Sequence, residues 1–140
     1  MRCEIKKDSK RINRTGIAAA WVLLFVYHGF IEYLSTRPEL PVDLDLGTDK
    51  IAHFAEYAVL SFLAIRAISM SFSLSIKKLT FFSMFYVLTA ALADEYIQSF
   101  VAGRQSSLLD VAADVSGGVF GVILYIYLYK KAGFGFKWKR

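Results

Sequence analysis

The sequence has little of what interrupts or cross-links a chain. Its two prolines, Pro38 and Pro41, fall together in the segment TRPELPVDLDLGTD, where a fixed φ and a missing N–H suit a connection between helices. The single cysteine, Cys3, sits among charges near the start, which excludes an internal disulfide framework and a multi-cysteine metal centre. No apolar run precedes it, so it does not read as a lipoprotein anchor. Also missing are the S-G-H element of membrane lipid phosphatases and the G-x-S-x-G elbow of serine hydrolases. With 140 residues there is room for one domain, and a separate cofactor-binding module is not expected.

What the chain has in excess is apolar surface. Hydrophobic residues make up 56% of it and the mean hydropathy is +0.43, beyond the roughly 45–50% apolar content of a soluble domain. Four proline-free apolar stretches, 16–35, 50–71, 79–101 and 107–129, each approach the roughly twenty residues that cross a bilayer core. The expected fold is therefore all-α, an integral membrane four-helix bundle spanning residues 16–130. Basic tails, 1–15 and 131–140, flank it. The first stretch follows a charged segment, as in a signal peptide, but no small-residue cleavage site follows it, and it reads as a retained helix.

Charge placement sets the expected orientation. Arg2, Lys6, Lys7, Lys10, Arg11 and Arg14 precede the first helix, Lys77 and Lys78 lie between the second and third, and Lys130, Lys131, Lys137, Lys139 and Arg140 close the chain. Positive residues are retained in the cytoplasm, so these segments belong inside, N-in and C-in. The first connection sets Arg37 against Glu39, Asp43 and Asp45, and the third has only Arg104; both belong outside. The net charge of +5 thus lies in tails and a short loop, a pattern that fits anionic lipid headgroups and not nucleic acid. The aromatic, basic ending GFGFKWKR reads as an interfacial anchor.

On this topology the ionisable residues of the helices gather at one end. His28 and Glu32 come late in the first helix; Asp49, Lys50, His53, Glu56 and Tyr57 open the second; Asp94, Glu95 and Gln98 close the third; Asp110 and Asp114 open the fourth, after Arg104. At about 1.5 Å per residue all lie within roughly 10 Å of the outer boundary. Residues three or four apart share a helix face, which joins Asp49, His53 and Glu56, Asp94 and Gln98, and Asp110 and Asp114. Ala113, Gly117 and Gly121 form a small-residue ridge that suits close packing and points to a central fourth helix.

Charges in lipid are costly and normally face a protein interior or a wet cavity. Seven acids share this end with two fixed cations, Lys50 and Arg104, and two histidines, so pairing alone cannot neutralise them. A shared polar site is expected, lined by Asp49, Lys50, His53, Tyr57, Asp94, Glu95, Gln98, Arg104, Asp110 and Asp114. The plainer alternative is structural glue, with Arg104 paired to Asp94 or Asp110. His53, Glu95 and Arg104 are the candidates for acid–base and charge-stabilising roles if the site is catalytic. The spacing matches no strong metal motif, and no cofactor is expected; a divalent ion held by His53 and carboxylates stays open as an alternative. Arg66 is close enough to the inner interface to snorkel, and Phe81, Phe82, Phe85 and Tyr86 read as lipid-facing or packing residues.

Two of these segments, DKIAHFAEYAVLSFL from Asp49 and DEYIQSFVAGRQSSLLDVAADVSGGVFG from Asp94, resemble the VanZ-like family of small bacterial membrane proteins. Asp49, Lys50, His53, Tyr57, Glu95, Gln98, Gly103, Arg104, Asp110 and Gly117 carry the resemblance. Asp114 stands where the family pattern D-x-x-x-N-x-x-G has asparagine, which adds a titratable group. The resemblance implies a multi-pass protein of the bacterial cytoplasmic membrane. Because the family is named for a teicoplanin-resistance protein, it also implies partners among membrane lipids, lipid-linked cell-wall precursors or lipoglycopeptides at the outer leaflet.

Overall fold

The computed structural model describes residues 14–37, 46–104 and 107–131. Four helices account for nearly all of them: α1 (Arg14–Ser35), α2 (Leu46–Ser71), α3 (Ile76–Gln98) and α4 (Leu108–Lys131). All four are long and apolar enough to cross a membrane. The acidic connection around Pro38 and Pro41, the N-terminal basic residues up to Arg11 with Cys3, and the ending from Gly133 lie outside the described residues.

Local sequence explains where the helices stop. Between α2 and α3 only 72–75 intervene, and Ser75, extended at φ −67° and ψ 157°, turns the chain into α3. Lys77 and Lys78, expected in the connection, therefore lie in the first turn of α3, where both side chains are exposed. At the other end α3 closes at Gln98, three residues short of the expected Val101. Ser99, Phe100 and Val101 instead turn back, donating to Glu95, Ile97 and Gln98 carbonyls. Gly103 at φ +87° then completes the reversal, a conformation a side chain would strain.

The helices alternate in direction. Trp21 near the start of α1 donates from Nε1 to Ser71 Oγ at the end of α2 (2.8 Å), while Ser69 and Tyr125 hydroxyls meet at 2.6 Å between the last turns of α2 and α4. Arg14 and Lys131 thus lie at the same end of the bundle. α2 and α4 run parallel and in close contact, with α2 also meeting α1 and α3. The sequence pointed to α4 as the central helix; the structure gives that place to α2, whose span is half buried against a third for α4. The small-residue ridge is nonetheless where two backbones come closest. A Cβ on Gly117 would lie 2.1 Å from Phe54 O, and one on Gly121 2.0 Å from Ala58 O. The ridge marks an approach, and an approach has two sides.

The core follows α2. Leu24, Ile31, Tyr57, Leu60, Ala64, Val87 and Ala91 pack from α1, α2 and α3, and Ile65, Leu79, Val122 and Tyr125 fill the opposite end. The outer faces are apolar as well: Val22, Phe25 and Val26 on α1, Phe81 and Phe85 on α3 and Ile123 on α4 are each more than half exposed. Apolar surface on this scale belongs to a lipid-facing protein. Arg66, also exposed, lies far along α2 from its polar first turns.

Candidate functional site

The polar end is built from the last turns of α1 and α3 and the first turns of α2 and α4. Pairing α2 with α4 in parallel brings their opening turns side by side. Lys50 Nζ donates to Asp110 Oδ1 and stands 3.6 Å from Asp49 Oδ2. One turn deeper, His53 Nδ1 lies 3.0 Å from Asp114 Oδ1, and its Nε2 faces Asp49 Oδ1 at 3.9 Å. The period of the two helices makes this ladder: 50 and 53 on one meet 110 and 114 on the other.

α3 adds the second wall. Asp94 is 1% exposed and Asp114 0%, which makes them the most deeply buried carboxylates described. Gln98 donates from Nε2 to Asp94 Oδ2 at 3.2 Å, and the Ser35 hydroxyl, which donates to Ile31 O, stands close to Asp94. Glu95 does a different job. Its Oε2 accepts the Ser107 N–H at 2.6 Å and so ties the end of α3 to the residue before α4. Ser107 Oγ in turn accepts from Leu109 N at 3.1 Å, as an N-cap does.

The expected site residues divide accordingly. Asp49, Lys50, His53, Asp110 and Asp114 are linked by these contacts, the hydrogen-bonded pair Asp94–Gln98 lies beside them with Asp94 within 4.8 Å of His53 and Asp114, and Tyr57 is buried in the same region. The catalytic trio considered from sequence is not in mutual hydrogen-bond contact: the carboxylate on His53 is Asp114, not Glu95. Arg104 makes no ion pair among the described residues and acts on Asp94 and Glu56 only at longer range. The structural pair imagined for it, with Asp94 or Asp110, is absent, and Lys50 holds Asp110 instead.

Sequence reasoning missed one extension. Tyr86, read as lipid-facing or packing, places its hydroxyl 2.7 Å from His28 Nδ1 in a hydrogen bond, and His28 Nε2 reaches Glu32 Oε1 at 3.1 Å. The signal was available, since Tyr86 precedes Asp94 by about two turns on the same face of α3. What distinguishes the cluster is what it leaves over. Glu32 Oε2, Tyr57 Oη, Asp94 Oδ1, Glu95 Oε1, Arg104 Nε and Asp114 Oδ2 are all buried without a hydrogen-bond partner. Buried polar groups are normally satisfied, so several orphans at one end require an explanation. Two sets of side chains are compact enough to hold an ion, Asp49, His53 and Asp110, and His53, Asp94 and Asp114, with ligand atoms within 4.8 Å of one another in each.

The VanZ/LLP1 family model matches residues 7–129, nearly the whole chain. The chain belongs to the VanZ/LLP1 family. The match takes in α1, which holds none of the residues that first suggested the resemblance. No characterised protein and no solved structure shows a significant match to the chain. As a family member with four apolar helices, it is a multi-pass membrane protein whose outer helix faces meet lipid.

Proposed function

We propose that the polar end of this VanZ/LLP1-family protein opens to the outer face of the bacterial cytoplasmic membrane. There it binds the polar head of an envelope-associated amphiphile, a lipid-linked cell-wall precursor or a lipoglycopeptide. Residues 1–15 and 131–140 are cytoplasmic in this reading. The observation that carries it is the row of orphaned polar atoms: an arginine donor and carboxylate acceptors, desolvated and unpaired, are arranged for groups that a ligand supplies. The exposed apolar faces of α1 and α3 next to the cluster would accept the acyl part of the same molecule. Arginine's planar fork suits a phosphate or carboxylate, with Lys50 held by Asp49 and Asp110 as a second positive group. In this reading the protein lowers sensitivity to teicoplanin-type antibiotics by engaging the drug or its target at the outer leaflet.

A membrane enzyme is the second reading, and the His53–Asp114 contact favours it. A carboxylate holding one imidazole nitrogen fixes the ring and its tautomer, which leaves the other nitrogen for proton transfer. Purified protein in nanodiscs, titrated with a lipid-linked precursor and with teicoplanin, tests the first reading. Saturable binding lost in Arg104→Lys supports it, and no binding of either ligand to folded protein overturns it. Product formed from the precursor by wild type but not by Asp114→Asn would favour the enzyme.

A further inference from the structure

The two ion-sized sets share one residue, His53, and their electrostatic surroundings differ. In the shallower set Asp49 and Asp110 already have a cation, since Lys50 Nζ contacts both. In the deeper set Asp94 and Asp114 have no lysine or arginine contact among the described residues, are fully buried, and each keeps one oxygen without a partner. Tyr57 supplies a separate observation. It is 0% exposed, its hydroxyl has no partner, and the carboxylates acting on it most strongly are Asp94 and Asp114. A buried charge without compensation is among the most expensive features a fold can carry, and more so among membrane helices.

We infer that His53, Asp94 and Asp114 form a binding site for a divalent first-row transition-metal ion of the zinc type. The charges balance, with two carboxylates and a neutral imidazole against a dication. The donor set is one imidazole nitrogen and two carboxylate oxygens, which suits borderline ions better than Mg2+ or Ca2+. The orientation of the ring agrees. His53 turns Nδ1 to Asp114, while Nε2 stands 3.9 Å from Asp49, beyond hydrogen-bond distance, so the nitrogen offered to the deeper set is held independently of Asp49. Three protein ligands leave coordination positions for water or for a ligand oxygen.

The inference uses the same cluster as the amphiphile-binding reading but is tested without any amphiphile, so either can fail alone. Full-length protein in nanodiscs, stripped with chelator, is titrated with Co2+ as a spectroscopic probe. The expected result is one Co2+ per chain with d–d absorption of an N/O site, displaced by Zn2+ and not by Ca2+. Asp94→Asn and Asp114→Asn, checked for folding by gel filtration, should weaken binding tenfold or more, while Asp49→Asn and Asp110→Asn stay within threefold. Absence of stoichiometric Co2+ binding by folded wild type overturns the inference. So does binding that is lost in Asp49→Asn and Asp110→Asn but kept in the deeper pair, or lost equally in all four.

Discussion

Gly121→Ala adds one methyl group at the tightest point between α2 and α4. The new Cβ would fall 2.0 Å from Ala58 O and 2.1 Å from Ser61 Oγ, against an ordinary contact of 3.4 Å or more. Ser61 can rotate, but the Ala58 carbonyl belongs to the backbone of a helix buried on several sides. The helices must therefore separate by about 1 Å along this seam, and a gap of that size forfeits a quarter to a half of each dispersion contact across it. Overpacking of this kind costs about 1–3 kcal/mol, and the rigid obstacle places Gly121→Ala near the upper end. Gly118→Ala is the graded comparison, since its Cβ would meet the Val87 Cγ1 methyl at 2.6 Å, a side chain able to shift; about 1 kcal/mol is expected. Gly29→Ala is the control, with nothing within 4 Å, and should be neutral or stabilising by up to about 1 kcal/mol through helix propensity. Thermal unfolding in detergent, followed by tryptophan fluorescence, ranks the three. If Gly121→Ala melts with Gly29→Ala, the close approach of α2 and α4 is wrong, and the ladder from Lys50 and His53 to Asp110 and Asp114 goes with it.

Arg104→Ala should change stability by less than about 1 kcal/mol, since Arg104 makes no ion pair among the described residues, while Arg104→Lys abolishes ligand binding or antibiotic tolerance; a joint collapse of stability and function in both variants contradicts this. Lys50→Met removes the cation on buried Asp110 and should cost about 1–3 kcal/mol, below the value for a fully buried pair because Lys50 is partly exposed; an unchanged melting temperature counts against the ion pair. Reporter fusions after Ser35 and at Ala102 should report outside and those at Ser75 and Arg140 inside, and an external C-terminus would reverse the proposed site placement.

The helices were legible because length and hydropathy in lipid leave few alternatives: a span must satisfy its own backbone. The ladder between α2 and α4 was half legible. Spacing put Asp49 with His53 and Asp110 with Asp114 on single faces, but nothing in the one-dimensional pattern says that α2 and α4, rather than sequence neighbours, share the closest seam. For the same reason the small residues of α4 suggested its own centrality, when they record the bulk of the partner they admit. Glu95 illustrates a different limit. Its neighbour Asp94 points into the cluster, whereas a step of about 100° turns Glu95 toward the start of α4, and the hydrogen bond to Ser107 depends on a turn that sequence does not specify. Tyr86 was hidden by company, being the one member of an aromatic run that carries a hydroxyl to the interior.

The parallel seam between α2 and α4 has a consequence for biogenesis. During synthesis α2 enters the membrane carrying Asp49, Lys50, His53 and Glu56 long before Asp110 and Asp114 exist. Until α4 arrives, Lys50 has only its neighbour Asp49, His53 lacks its Asp114 contact, and the groove that will receive Gly117 and Gly121 is empty. The fourth helix is thus the one that completes the second. A chain arrested after α3 would expose the polar opening turns of α2 to lipid, a feature by which membrane quality control can tell an unfinished copy from a finished one.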